Sequence, residues 1–387
     1  MAVKQLTILG STGSVGTQTI DILAENQQDY DVCALVGGRN VALIAAQAKQ
    51  FRPAITVISE ESLLDDLRAA LHGTGLECAA GRAAVLEAAG RAVDWTMCAI
   101  TGVAGLEPTL AAVRHGGTIA FANKEALVSA GDVMLDAVAT AGATLLPVDS
   151  EHNAIMQALA DGNEKSVDKI ILTASGGPFR NHSREEMRLV TPEAALRHPV
   201  WSMGAKISID SATMMNKCLE VIEAARLFSL SSSQIEVLIH PQSVIHGMVC
   251  YADGSVIAQL GTPDMRIPIA HTLAWPQRLA TKAPRLDLAA VAKLEFFTPD
   301  EAQFPALRLA REVLAAGAGA PTVLNAANEI AVAAFLAGKI GFLDIAAIVE
   351  NVLQEFGTPP IPDLAAVLAL DEAARAAANR LTTAKAA

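Results

Sequence analysis

The chain has 387 residues, and 29 Lys and Arg against 41 Asp and Glu give a formal net charge of −12 with no basic run anywhere. This excludes a duplex-coating nucleic-acid protein, which needs a Lys/Arg stripe to neutralise phosphates. An apolar share of 52% with 18% charged residues excludes global disorder, and no apolar stretch reaches the ~18–20 residues of a membrane span.

At roughly 150 residues per domain the length allows two or three domains. Residues 1–10 run directly into a strand-like pattern without an apolar leader, so no export signal is expected. Between 6 and 148, runs rich in Val, Ile and Leu at 6–9, 32–36, 54–58, 95–100, 118–122 and 144–148 alternate with Ala-rich helical stretches. Unbroken apolar strands separated by helices predict a parallel sheet covered on both faces, hence an α/β, Rossmann-like domain over 1–150. From 169 to 276 the strands lengthen and alternate, with Asp253-Gly254 as a hairpin turn, which predicts a central α+β domain over 151–290. Beyond 304 the helical period and Gly/Pro punctuation predict a C-terminal helical domain within 291–387.

The first strand leads into Gly10-Ser11-Thr12-Gly13-Ser14-Val15-Gly16 and a helical stretch at 17–23. Glycines at a strand-to-helix junction let the backbone approach a pyrophosphate, which the helix N-terminus stabilises. The second strand ends in Gly37-Gly38-Arg39-Asn40, without the acid that accepts ribose hydroxyls at NAD sites. Arg39 can pair with a 2′-phosphate, which favours NADP, although a solvated turn arginine is the plainer alternative.

Asp149, Ser150 and Glu151 follow the last strand of the first domain. If the backbone stays extended, Asp149 and Glu151 share a side and offer hard oxygens to one divalent cation; alternatively Asp149, Ser150 and Asn153 cap the next helix. The stretch 206–220 reads as a strand leading into a helix on which Asn216, Lys217 and Glu220 are neighbours, flanked by Met214, Met215, Leu219, Val221 and Ile222. Such polar groups among apolar ones suit a phosphorylated, hydroxylated ligand beside a metal, with a solvated helix face as the alternative. Ser175-Gly176-Gly177 is either an anion-binding turn or a plain loop. The cysteines 33, 78, 98, 218 and 250 are scattered and contain no C-x-x-C pair, which points to reduced thiols in a cytosol.

These segments, with Ala122-Asn123-Lys124-Glu125, 146–155, 175–179, 198–220, 240–246, 263–266 and 324–329, closely resemble the 1-deoxy-D-xylulose 5-phosphate reductoisomerase family in family order over most of the chain. The resemblance implies an NADPH-dependent enzyme of isoprenoid biosynthesis that rearranges and reduces its sugar phosphate, with Asp149, Glu151 and Glu220 holding Mg²⁺ or Mn²⁺. It implies substrate contacts from Lys124, Ser150, Ser175, His198, Ser211, Asn216 and Lys217, with Glu151 and Glu220 reaching the substrate through the metal, and Lys124 adding positive charge near the reacting oxygens. It also implies dinucleotide contacts from Thr12, Gly13, Ser14, Val15, Gly38, Arg39, Asn40, Asn123, Glu125 and Gly204. The segment 198–204 resembles the family's mobile lid, with Trp201 closing over the site or simply packing. A homodimer, a cytoplasmic location and no nucleic-acid or membrane partner are expected. Cys218 departs from the small residue expected there and could lie close enough to the site for alkylation to affect activity, without being catalytic. His152, His240 and His246 have no role beyond structural hydrogen bonding.

Overall fold

Because their apolar runs leave no face for water, the short N-terminal strands can be stable only inside a covered sheet. In the computed structural model, described over residues 3–159, 163–198, 200–201 and 203–386, they form one. Strands β1 (Lys4–Leu9), β2 (Tyr30–Gly37), β3 (Ile55–Ile58), β4 (Cys78–Ala80), β5 (Trp95–Cys98), β6 (Thr118–Phe121) and β7 (Thr144–Pro147) lie in the order β4-β3-β2-β1-β5-β6-β7. Every pairing is parallel. The order reverses between β1 and β5, so the crevice at the carboxyl ends of these strands is where such a sheet binds ligands. β4, three half-buried residues at the sheet edge, carries too short a pattern to register in the sequence.

The sheet belongs to the first of two packed units, made of Met1–Ala126, Met134–Asn153 and Asp264–Pro284. The late segment brings the helix Arg266–Ala274, whose Ile269 and Leu273 join Leu6, Ile8, Leu35 and Trp95 in one core. Two distant bonds fasten it: Trp95 Nε1 donates to the Thr272 carbonyl at 3.1 Å, and Lys4 Nζ to the Leu273 carbonyl at 2.8 Å.

The second unit comprises Leu127–Val133, Ala154–Pro263 and Arg285–Ala387. Its sheet contains β8 (Val167–Ala174), β9 (Ile235–Ile239), β10 (Ile245–Tyr251) and β11 (Val256–Leu260), in the order β11-β10-β8-β9. β8 and β9 are parallel and the other pairs antiparallel, with the β10–β11 hairpin turning at Asp253-Gly254, where Gly254 has φ +87°. The C-terminal helices Ala306–Ala316, Ala320–Leu336, Asp344–Phe356 and Leu364–Ala386 share a core with this sheet, as Leu172, Leu219, Leu324 and Val349 lie in one apolar cluster.

The expected strand at 206–210 is instead the helix Ala205–Ala212. Lys206 to Asp210 alternate polar and apolar, which mimics a strand period, but the helix buries Ser208 and Asp210 as well as Ile209. Asp210 survives burial because Lys206 Nζ lies 2.8 Å from its Oδ2 and Asn328 Nδ2 donates to its Oδ1 at 2.8 Å. Among the described residues no helix is long and apolar enough to cross a membrane.

Candidate active site

The glycine cluster turns as its composition requires. Gly10 has φ +89°, and a Cβ there would sit 2.5 Å from the Ala99 carbonyl oxygen; one at Gly16 would sit 2.1 Å from the Gly10 oxygen. Gly13 is open by comparison, its nearest neighbour 3.4 Å from an added Cβ. The amides of Gly10 and Ser11 both donate to the Val36 carbonyl, and buried Gln47 donates to the Ser11 carbonyl at 2.9 Å. Thr12 packs beside Gly37. Gly13 precedes the helix Ser14–Glu25, which has no acid in its first turn. The first-turn amides of Ser14, Val15 and Gly16 have no intrahelical acceptor and carry the positive helix end, so the turn fits a dinucleotide pyrophosphate.

At the end of β2, Gly38 has open space around its Cα, and Arg39, its side chain 80% exposed, makes an ion pair to Glu60 at 3.6 Å. Asn40 caps the helix Val41–Phe51, its Oδ1 accepting from the Leu43 amide at 3.1 Å. Asn123 caps the helix Lys124–Ala141 in the same way through the Ala126 amide, and its Nδ2 donates to the Gly102 carbonyl at 3.0 Å. Glu125 is buried in the first turn of that helix.

Because β6 and β7 are neighbours, the chain segments after them meet. Lys124 Nζ lies 2.5 Å from Asp149 Oδ2, and both side chains are about nine-tenths buried. The backbone is not extended here: β7 ends at Pro147, and Ser150–Ala158 is a helix with Glu151 in its first turn. Asp149 therefore caps that helix, its Oδ1 accepting from the Glu151 amide at 3.3 Å, while Ser150 Oγ donates to Glu151 Oε2 at 2.5 Å. Fully buried His152 places Nδ1 3.7 Å from Asp149 Oδ1. Two carboxylates in one turn, next to an ammonium, form a hard-oxygen donor set of the kind Mg²⁺ and Mn²⁺ take.

In the second unit, Met214 adopts a left-handed conformation (φ 63°) and turns the chain from Ala205–Ala212 into the helix Met215–Leu227. Ser211 lies in the last turn of the first helix, and Asn216, Lys217 and Glu220 lie in the first two turns of the second. Glu220, 1% exposed, accepts from the Asn216 amide and from the Lys217 ammonium, which also donates to the Thr173 carbonyl of β8 at 2.5 Å. The cluster is buried, so the solvated-face alternative does not hold.

Ser175 follows β8. His198 Nδ1 accepts from the Val200 amide at 3.1 Å and the Trp201 amide at 2.8 Å, so it carries the lone pair and the ring proton is on Nε2, which donates to Ser175 Oγ at 3.0 Å. Burial pushes the imidazole below its ordinary pKa, which keeps it neutral. Ser175 Oγ also accepts from the Gly177 amide at 3.1 Å. With both lone pairs used, its hydroxyl proton is left for an anion. Trp201 stands 6.1 Å, centroid to centroid, from His246. Gly204 precedes the helix Ala205–Ala212 and is exposed, while Pro199 and Ser202 of the expected lid lie outside the described residues.

Cys218 is fully buried, and desolvation with Asp210 nearby pushes its thiol well above the ordinary range. The expected sensitivity to alkylation is therefore corrected: the side chain is out of contact with solvent, and its raised pKa disfavours the thiolate that reacts. Gln47, Thr173 and the 200–201 amides support the site without announcing themselves in sequence, two of the three acting through backbone atoms.

Family models agree with this geometry along the chain. The 1-deoxy-D-xylulose 5-phosphate reductoisomerase model matches 6–131, its C-terminal-domain model 145–228, and the DXP reductoisomerase C-terminal-domain model 260–377. The reductoisomerase of Gluconobacter oxydans is 60% identical over 377 residues, covering 97% of this chain and 92% of the relative. The chain belongs to the 1-deoxy-D-xylulose 5-phosphate reductoisomerase family. Another reductoisomerase, from Zymomonas mobilis, is 56% identical over 98% of this chain and 97% of its own length. A solved Zymomonas mobilis reductoisomerase in complex with NADPH superposes with a TM-score of 0.93 at 54% identity, covering 98% of this chain and 99% of that one. A reductoisomerase solved with NADPH, fosmidomycin and magnesium matches at TM-score 0.92 and 42% identity, covering 99% and 98%.

Proposed function

We propose that the chain converts 1-deoxy-D-xylulose 5-phosphate to 2-C-methyl-D-erythritol 4-phosphate with NADPH and Mg²⁺ or Mn²⁺, a step of isoprenoid biosynthesis. The observation that carries this proposal is the match over nearly the whole chain to a reductoisomerase that holds NADPH, fosmidomycin and magnesium together. Asp149, Glu151 and Glu220 are the proposed metal ligands. The bound ion supplies Lewis acidity to substrate oxygens, a contribution of several kcal/mol. Lys124 adds fixed positive charge beside them. Ser175, His198, Ser211, Asn216 and Lys217 bind the substrate, and Ser175 donates its remaining proton to the phosphate. Remote phosphate binding then orients the reacting carbons for skeletal rearrangement and hydride delivery.

The glycine turn and Thr12, Gly13, Ser14 and Val15 receive the pyrophosphate, Gly38, Arg39 and Asn40 the ribose phosphate end, and Asn123, Glu125 and Gly204 the rest of the dinucleotide. NADPH binding falls to 1–150, catalysis and subunit pairing to 151–290, and helical support to 291–387. Pairing into a homodimer is supported by edge strand β11, where Val256 and Ile257 are 52% and 48% exposed. A cytoplasmic location fits five free cysteines.

The test follows NADPH absorbance and substrate loss together, with and without chelator. Coupled loss that chelator abolishes supports the proposal. Substrate loss without NADPH consumption would mean an isomerase or aldolase, and NADPH binding without metal dependence a nucleotide sensor.

A further inference from the structure

The turn carrying Asp149 and Glu151 is held from an unexpected quarter. The Asn153 amide donates to the Asp149 carbonyl at 2.8 Å, and Asn153 Nδ2 donates to the Pro147 carbonyl, also at 2.8 Å. A carbonyl only accepts, so this bond fixes which end of the side-chain amide is nitrogen. The same nitrogen lies 3.2 Å from Nδ1 of His271, on the helix Arg266–Ala274. His271 Nδ1 must therefore carry the lone pair and the ring proton must sit on Nε2. Consistent with a neutral acceptor, burial, with Arg278 adding to it, pushes this imidazole down to about 4. His271 belongs to the segment that Trp95 and Lys4 fasten to the first unit, so it offers a fixed anchor.

We infer that His271 is a positioning residue for the metal: through Asn153 it sets the 147–151 backbone so that the Asp149 and Glu151 oxygens are spaced for one divalent cation. This rests on the assignment of those two acids as ligands. Groups that orient ligands commonly change metal affinity 10- to 100-fold when lost.

The experiment measures Mn²⁺ binding to the full chain by equilibrium dialysis, with NADPH affinity followed separately, in wild type, His271→Phe, His271→Asn and Asp149→Asn. An Asn side chain puts an acceptor oxygen where Nδ1 stands; Phe does not. His271→Phe should bind Mn²⁺ about tenfold more weakly, with turnover restored by excess Mn²⁺ and NADPH affinity unchanged, while His271→Asn stays near wild type. If Asp149→Asn loses Mn²⁺ but His271→Phe does not, or if the Asn variant is as weak as the Phe variant, the positioning role is overturned. If Asp149→Asn retains Mn²⁺, the ligand assignment itself fails. Should the Phe variant be insoluble, His271→Ala, which removes the acceptor without adding volume, replaces it under the same criteria.

Discussion

Lys217→Met tests the buried cluster most directly. Lys217 is 3% exposed and Glu220 1%, so neither charge is solvated. Met retains most of the length of the lysine stem but removes the ammonium, which leaves the Thr173 carbonyl without that donor while the Glu220 carboxylate still accepts from the Asn216 side-chain amide. Removing one partner of a buried pair costs about 3–5 kcal/mol. A hydrogen bond to a charged group contributes about 1.5–3 kcal/mol, so the surviving Asn216 bond places the loss near the lower bound, about 3 kcal/mol. With a urea m-value toward the upper end of about 1–3 kcal/mol/M, the midpoint should fall by roughly 1 M in chelator. Saturating Mg²⁺, worth about 2.7 kcal/mol at a hundredfold excess over Kd, should stabilise the variant more than the wild type, because a cation at Glu220 supplies the lost charge. Urea unfolding followed by circular dichroism, with EDTA or Mg²⁺, measures both quantities. A shift below about 0.5 kcal/mol, or equal Mg²⁺ increments in the two proteins, would refute the reasoning.

Other outcomes follow from the same geometry. Arg39→Asp should raise KM for NADPH at least about tenfold and leave NADH use nearly unchanged, measured by steady-state kinetics; equal losses would remove the 2′-phosphate argument. Gly16→Ala should unfold or aggregate, since its Cβ would meet the Gly10 oxygen at 2.1 Å, whereas Gly13→Ala should fold and lose NADPH affinity by about tenfold or more, checked by calorimetric melting and fluorescence titration. His198 has a lowered folded-state pKa, so the stability it confers is present above the unfolded value of about 6.5 and is lost as pH falls through the folded value. KM for the ketose phosphate should therefore rise as pH is lowered below the ordinary imidazole value of about 6.5, while NADPH affinity holds; a KM that stays flat until the protein unfolds in acid would contradict the His198 geometry.

The sheet and the glycine turn were legible because their physics is local. Apolar runs and glycines leave few alternatives, and only β4, too short to show a period, escaped. The helix at 205–212 was not legible, because burial of Asp210 depends on Asn328, 118 positions away. Asp149 and Glu151 were recognisable as a donor pair, but their spacing comes from a helical first turn and not from an extended strand. Cys218 shows the converse: its neighbours in sequence suggested access, while packing denies it. The link from His271 to the acidic turn left no trace in local pattern, since it joins two polar residues far apart in the chain through a single amide nitrogen.

The composition of the first unit from three stretches of chain has a consequence for synthesis. The sheet is complete once β7 emerges, yet the helix that takes the Trp95 indole bond and buries Ile269 and Leu273 against it is translated more than a hundred residues later. Until residue 284 has left the ribosome, one patch of that sheet stays bare. A nascent chain stalled in this interval, or a gene cut after codon 150, should be a client for chaperones and not a free-standing nucleotide binder.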